Sequence, residues 1–269
     1  MFKPLSELID LDRFRHALQT YGRSGPFDHC VIDGFFEPDI ATGLEAEFPD
    51  FDSDLWHEYD NPIEIKRVSN IWNQFPPLTY SVFNALNSPE FLSILSAELL
   101  GGQRLYADGG LNGGGWHIHK RGGKLNTHLD YSLHPKLGLQ RKLNIIVYLN
   151  SNWRDEWGGS LGLWGSQSAE KPGALVQSVS PRFNRAVIFD TTQNSWHGLP
   201  DPLTCPEHEC RRSLAAYFLC EAPANVDPRG KALFAPTRDQ ENDAEILELI
   251  KKRSDVKTAA SVYSKPKPG

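Results

Sequence analysis

Thr127-His128-Leu129-Asp130 sets an imidazole and a carboxylate two residues apart. On extended backbone alternate side chains point the same way, so both can face one point. Two histidines and one carboxylate on one face of an iron ion leave three positions open, which suits a metal that must hold an oxidant and a bidentate cosubstrate together. The second histidine of such a set is proposed at His197, in Ser195-Trp196-His197-Gly198, just after an apolar run at 186–190. In a chain with nine histidines an H-x-D alone says little. The residues downstream say more. A dicarboxylate cosubstrate needs a guanidinium to pair with its remote carboxylate, and Cys210-Arg211-Arg212-Ser213-Leu214-Ala215-Ala216-Tyr217-Phe218 supplies one at the head of an apolar strand.

That order of features resembles the prolyl-4-hydroxylase-like branch of the Fe(II)/2-oxoglutarate-dependent dioxygenases. The resemblance rests on His128-Leu129-Asp130-Tyr131, Arg141-Lys142-Leu143-Asn144-Ile145-Ile146-Val147-Tyr148-Leu149-Asn150, Trp153, Gly158-Gly159-Ser160-Leu161 and Pro181-Arg182-Phe183-Asn184-Arg185-Ala186-Val187-Ile188-Phe189, leading to His197 and Arg211. It covers about 115–221. It implies His128, Asp130 and His197 as iron ligands, Tyr148 and Arg211 as the grip on the cosubstrate's distal carboxylate, and Ser213 as a helper. Fe(II), 2-oxoglutarate and O2 are the implied cofactors, with ascorbate as a stimulant, and oxidation of a substrate with release of succinate and CO2 is the implied reaction. The interval from His197 to Arg211 is longer than is usual for the family. In a strand from 211 the odd positions are the more polar and the even ones, Arg212 apart, are apolar, so alternation favours Arg211 as the inward arginine.

Neighbouring residues have plainer readings beside the sharp ones. His117 and His119 precede the H-x-D motif and either can touch substrate or cosubstrate, with His117 preferred; His134 reads as a loop residue, and Trp153, Trp157 and Trp164 as core or lid packing. Lys66 and Trp56 are placed over the mouth of the barrel. Gly113-Gly114-Gly115 is no phosphate-binding loop, because it precedes a strand and not a helix. Cys205 and Cys210 flank His208, but the spacing matches no common structural zinc pattern and the segment reads as a loop.

The elements that must carry these residues fall into three stretches: a mostly helical support at 1–105, a jelly-roll core at 106–221, and a linker, helix and loose Lys-rich tail at 222–269. Leu11, Phe14 and Leu18 mark an amphipathic helix. Further helices are expected from about 39 to 48, at 89–100 and at 243–252, with one early strand at 27–36. Short β-branched and aromatic segments at 115–120, 142–149, 160–164, 174–179, 186–190 and 212–220, parted by Gly, Pro and Asn, predict a mainly β, double-stranded β-helix core with flanking helices.

Composition narrows the partners. A length of 269 residues with 39% hydrophobic content fills a sizeable core. A formal charge of -6 without a dense basic stripe argues against nucleic acid. No apolar run is long enough for a membrane span, no signal peptide is evident, and four cysteines are too few for a disulfide scaffold, so a cytoplasmic protein acting on a small molecule or peptide is expected. Rivals are an iron oxygenase with another outcome (desaturase or halogenase), a non-catalytic metal-binding jelly roll, and a zinc hydrolase, which would leave the arginine unexplained. Asp130 occupies the coordination position a halide would need, which favours hydroxylation.

Overall fold

The computed structural model describes residues 3–263; Met1, Phe2 and the Lys265 and Lys267 end of the expected tail lie outside the described residues. Helix α1 (Leu5–Leu8) leads into α2 (Leu11–Leu18), whose first turn is capped by the Asp10 carboxylate accepting from the Asp12 and Arg13 amides. Strand β1 (His29–Asp33) comes next, then α3 (Pro38–Ala46), which has its proline in the first turn. A hairpin of β2 (His57–Asn61) and β3 (Glu64–Ser69) precedes α4 (Pro77–Leu86) and α5 (Pro89–Leu99). The core then runs through β4 (Tyr106–Ala107), β5 (Gly115–His119), β6 (Lys124–Leu125), β7 (His128–Leu129), β8 (Gln140–Tyr148), β9 (Leu161–Ser168), β10 (Lys171–Val179), β11 (Arg185–Asp190), β12 (His197–Gly198) and β13 (Arg211–Cys220). Strand β14 (Leu233–Phe234) and helix α6 (Ala244–Ser254) complete the described elements used below.

The strands form two antiparallel sheets. The larger has the order β1-β11-β8-β13-β5-β3-β2, with β4 on β13 and β6 on β3; the smaller has the order β10-β9-β12-β7-β14. Tyr148, Val187 and Phe189 of the larger sheet pack on Leu161 and Leu163 of the smaller, which makes the jelly-roll interior. The opposite face of the larger sheet carries Ile145, Val147, Leu214, Ala216 and Phe218, covered by Phe14, Leu44, Val82, Phe83 and Phe91 of the helices. Helices thus shield one face of the sheet while the other is left to line a site.

The N-terminal stretch holds more strand than the single one expected at 27–36, because the β2–β3 hairpin extends the larger sheet by pairing β3 with β5. Its sequence, His57 to Ser69, shows no apolar alternation because Tyr59, Lys66 and Val68 face a polar cavity. The glycine run has a steric role. Gly115 adopts φ 93°, and a Cβ there would collide with the Ser69 carbonyl; one at Gly114 would lie 2.6 Å from the Ala215 carbonyl. Bare backbone is what lets β5 fit between β3 and β13. No described helix is long and apolar enough to cross a membrane.

Candidate metal and cosubstrate site

His128 lies on β7, Asp130 one residue beyond it, and His197 opposite His128 on the paired strand β12. One ligand atom from each of the three lies within 4.8 Å of the others, and no other such group of His, Cys, Asp and Glu occurs among the described residues. Cys205, His208 and Cys210 therefore assemble no metal site. His128 Nε2 is 4.0 Å from Asp130 Oδ1, and His197 Nε2 is 3.8 Å from Oδ2. Each ring turns its Nδ1 to a backbone carbonyl, of Asn126 at 2.9 Å and of Ser195 at 2.8 Å. A carbonyl can only accept, so Nδ1 keeps the proton and the Nε2 lone pair faces the centre of the triad.

The charge state matches. Burial pushes both histidines below their ordinary range, with mutual repulsion adding to it at His128, so both rings are neutral. Burial alone would raise the Asp130 carboxyl, but the Arg141 charge, helped by the Asn144 amide, overcomes it and holds the group down to about 2. Arg141 Nη1 stands 3.2 Å from Asp130 Oδ1, Asn144 Nδ2 donates to Oδ2 at 3.3 Å, and the Tyr217 hydroxyl reaches Oδ1 at 3.5 Å. Two neutral imidazoles and one carboxylate, oriented from behind, form a donor set that fits a divalent iron-like cation.

A cavity of about 220 Å³ opens on the triad. Along β13 the side chains of Arg211, Ser213, Ala215 and Tyr217 line it, while Leu214, Ala216 and Phe218 lie under the helices and Arg212 shares their side. Arg211 is 4% exposed, donates from Nε to the Gly159 carbonyl at 2.7 Å, and stacks 4.8 Å above the Tyr148 ring. Its surroundings pull its pKa down through burial, and among the described residues no carboxylate pairs with it. Tyr148 does not line the cavity but underlies the guanidinium, and its buried hydroxyl finds no acceptor. His119 is the cross-strand neighbour of Arg211, and neither of its ring nitrogens has a partner. His117, opposite Ser213, lines the same wall and turns Nε2 to the Gly113 carbonyl at 3.2 Å. Both histidines line the cavity, and of the two His119 is the one with both ring nitrogens unpartnered.

Arg141 was not singled out from sequence, although it is fully buried between the rings of Tyr131 and Tyr217, at 3.4 and 3.3 Å, and supplies the counter-charge to Asp130. Alternation from Asn144 and Ile146, which face the cavity, puts Lys142 on the inside. An irregularity between Phe218 and Leu219 of β13 shifts the register opposite β8, so Arg141 turns inward and Lys142 pairs with Asp190. Lys66 does line the cavity, 3.6 Å from Glu64 Oε2, whereas Trp56 packs on Phe48 and Trp116 in the core. Trp153 and Trp157 pack edge to face, Trp164 lies against the Leu129 and Trp196 cluster, and His134 faces Asp108 at 3.6 Å, so none of the four reaches the cavity.

The sequence model of the 2OG-Fe(II) oxygenase superfamily matches residues 114–219. Among curated proteins, prolyl 3-hydroxylase OGFOD1 of Xenopus laevis is 30% identical over 134 residues, covering 43% of this chain and 26% of that protein. OGFOD1 of Mus musculus is 26% identical over 220 residues, covering 76% of this chain and 35% of that protein. The chain thus spans about a quarter to a third of the length of these relatives. Two solved structures share the fold. A Pseudomonas putida prolyl-4-hydroxylase superposes with TM-score 0.56 at 16% identity, covering 77% of this chain and 99% of its own. A prolyl hydroxylase of Trichoplax adhaerens, in complex with a hypoxia inducible factor peptide fragment, gives 0.57 at 14%, covering 78% and 91%. Residues 114–219 are thus similar to the 2OG-Fe(II) oxygenase superfamily.

Proposed function

We propose that the chain is an Fe(II)- and 2-oxoglutarate-dependent oxygenase that hydroxylates a peptidyl or small-molecule substrate and releases succinate and CO2. One observation carries this: a triad suited to a facial metal and a buried guanidinium without a counter-ion line the same cavity. A buried charge is stable only when paired, and a dicarboxylate chelating the metal would bring its far carboxylate to Arg211.

In this reading His128, Asp130 and His197 hold the iron, which together with O2 and 2-oxoglutarate supplies the oxidising chemistry when bound. Arg211 pairs with the distal carboxylate, Tyr148 supports the guanidinium from beneath, and Ser213 and a neutral His119 or His117 complete the carboxylate's polar wall. Arg141, Asn144 and Tyr217 fix the orientation and charge of Asp130. Burial of the whole set excludes water from the reacting centre. The names of the relatives support peptidyl proline as the first substrate to test, and four free cysteines suit a cytoplasmic setting.

The test is succinate formation with Fe(II), 2-oxoglutarate and ascorbate across proline-containing peptides and small molecules, with the product weighed in high chloride and in chloride-free buffer. A gain of one oxygen under both conditions is expected. His128→Ala or His197→Ala should abolish turnover, since two ligands cannot keep a facial site. Undiminished succinate from either folded variant would defeat the assignment, a chlorinated product would defeat hydroxylation, and loss of two hydrogens would mark a desaturase.

A further inference from the structure

The iron-ligand segment is two residues of strand and a bend, too short to hold itself. Strand β7 meets β12 at the single pair His128 and His197, so its other edge must be supplied from elsewhere. It is supplied by residues 229–240, which lie beyond the stretch matched by the superfamily. Phe234 pairs with His128 in β14 and stacks its ring on the imidazole, centroids 5.0 Å apart and planes 21° off parallel. Arg229 donates from Nε and Nη2 to the backbone carbonyl of Asp130, at 3.3 and 3.1 Å, while its own carbonyl accepts from the Ser132 and Leu133 amides. The Ala235 amide donates to the Thr127 carbonyl at 2.8 Å.

Asn126, whose carbonyl fixes the tautomer of His128, is gripped from the same side. Its side-chain amide donates to the Ala235 carbonyl at 3.1 Å and to Gln240 Oε1 at 2.6 Å; Gln240 in turn donates to the Pro62 carbonyl at 2.8 Å. The Asn126 amide donates to the Ile63 carbonyl at 2.8 Å. Three separate stretches of chain, the β2–β3 turn, the ligand segment and residues 229–240, therefore converge on the backbone that aims two of the three ligands.

We infer that residues 229–240 are a built part of the metal site, with Arg229 and Phe234 acting as positioning residues for Asp130 and His128. The inference rests on the metal reading of the triad, and groups that orient metal ligands from behind are worth about 10- to 100-fold in metal affinity. The experiment titrates Co(II) into the purified metal-free chain and reads affinity and the visible spectrum, with thermal midpoints measured alongside. Phe234→Leu and Arg229→Gln should each weaken Co(II) binding by about 10- to 100-fold and alter the spectrum. Arg229→Lys, which keeps a donor, should recover part of the loss and also serves if Arg229→Gln does not fold. Leu247→Ala, at an exposed position on α6, should bind like the parent. If the parent binds Co(II) tightly and both variants match it within about twofold, well short of that loss, the positioning role is overturned while the metal site stands. If the parent binds no Co(II), the metal reading falls and this inference with it.

Discussion

Two arginines stand next to each other at the head of β13, and the structure gives them different surroundings. Arg211 is buried over Tyr148 without a carboxylate partner, whereas Arg212 lies on the side of the strand that faces the helices. Arg211→Ala should raise the 2-oxoglutarate requirement by roughly 2 to 5 kcal/mol, the cost of removing one partner of a buried charge pair. Arg212→Ala should leave it near the parent value. A 2-oxoglutarate titration of the two variants decides between them, and the reverse pattern would mean that the cosubstrate sits elsewhere. Which of the two faces the cavity was legible because period-two alternation separates a polar odd face from an apolar even one. Arg141 was not, because one register shift between β13 and β8 reverses which residue looks inward.

At the scale of elements, the strands with strong β-branched runs were readable nearly to the residue: 142–149 was expected where Gln140–Tyr148 forms, and 186–190 where Arg185–Asp190 forms. The hairpin, the two-residue strands and the closing role of 229–240 were not. Their pairing is dictated by distant partners and by the polarity of a cavity, and neither leaves a local pattern. The glycine run could be read only as unsuited to phosphate, since its reason is a neighbour's carbonyl. Gly115→Ala tests that reason. It should strain the left-handed backbone, push β5 off β3 and lower stability by more than the roughly 1 kcal/mol that glycine-to-alanine exchanges usually involve. Denaturant unfolding measures it, and an unchanged midpoint would show that the close approach is dispensable.

For the whole molecule, the apolar cluster that joins helices α1 to α5 to the larger sheet argues for one cooperative unit. Its stability should also depend on pH in a particular direction. His117 is pushed down to about 3, first by burial and then by Lys66, and His119, His128 and His197 are lowered for the same leading reason. An unfolded histidine takes up a proton near pH 6.5, so the metal-free folded state refuses protons that the unfolded state accepts. The stability these rings contribute is complete above about pH 6.5 and is lost as pH falls toward 3. A single thermal transition whose midpoint begins to drop near 6.5, above the range where carboxylates titrate, is the expected outcome. Two separable transitions, or a midpoint flat down to pH 5, would contradict the account.

The central claim is that one cavity holds Fe(II) by His128, Asp130 and His197 and 2-oxoglutarate by that iron together with Arg211. The most direct measurement is an anaerobic titration of the Fe(II)-loaded chain with 2-oxoglutarate, followed by visible absorption. Chelation should give a saturable charge-transfer band. The band should be absent in His197→Ala and should need far more 2-oxoglutarate in Arg211→Ala. No band in the parent chain, or an equal band in His197→Ala, would contradict the account.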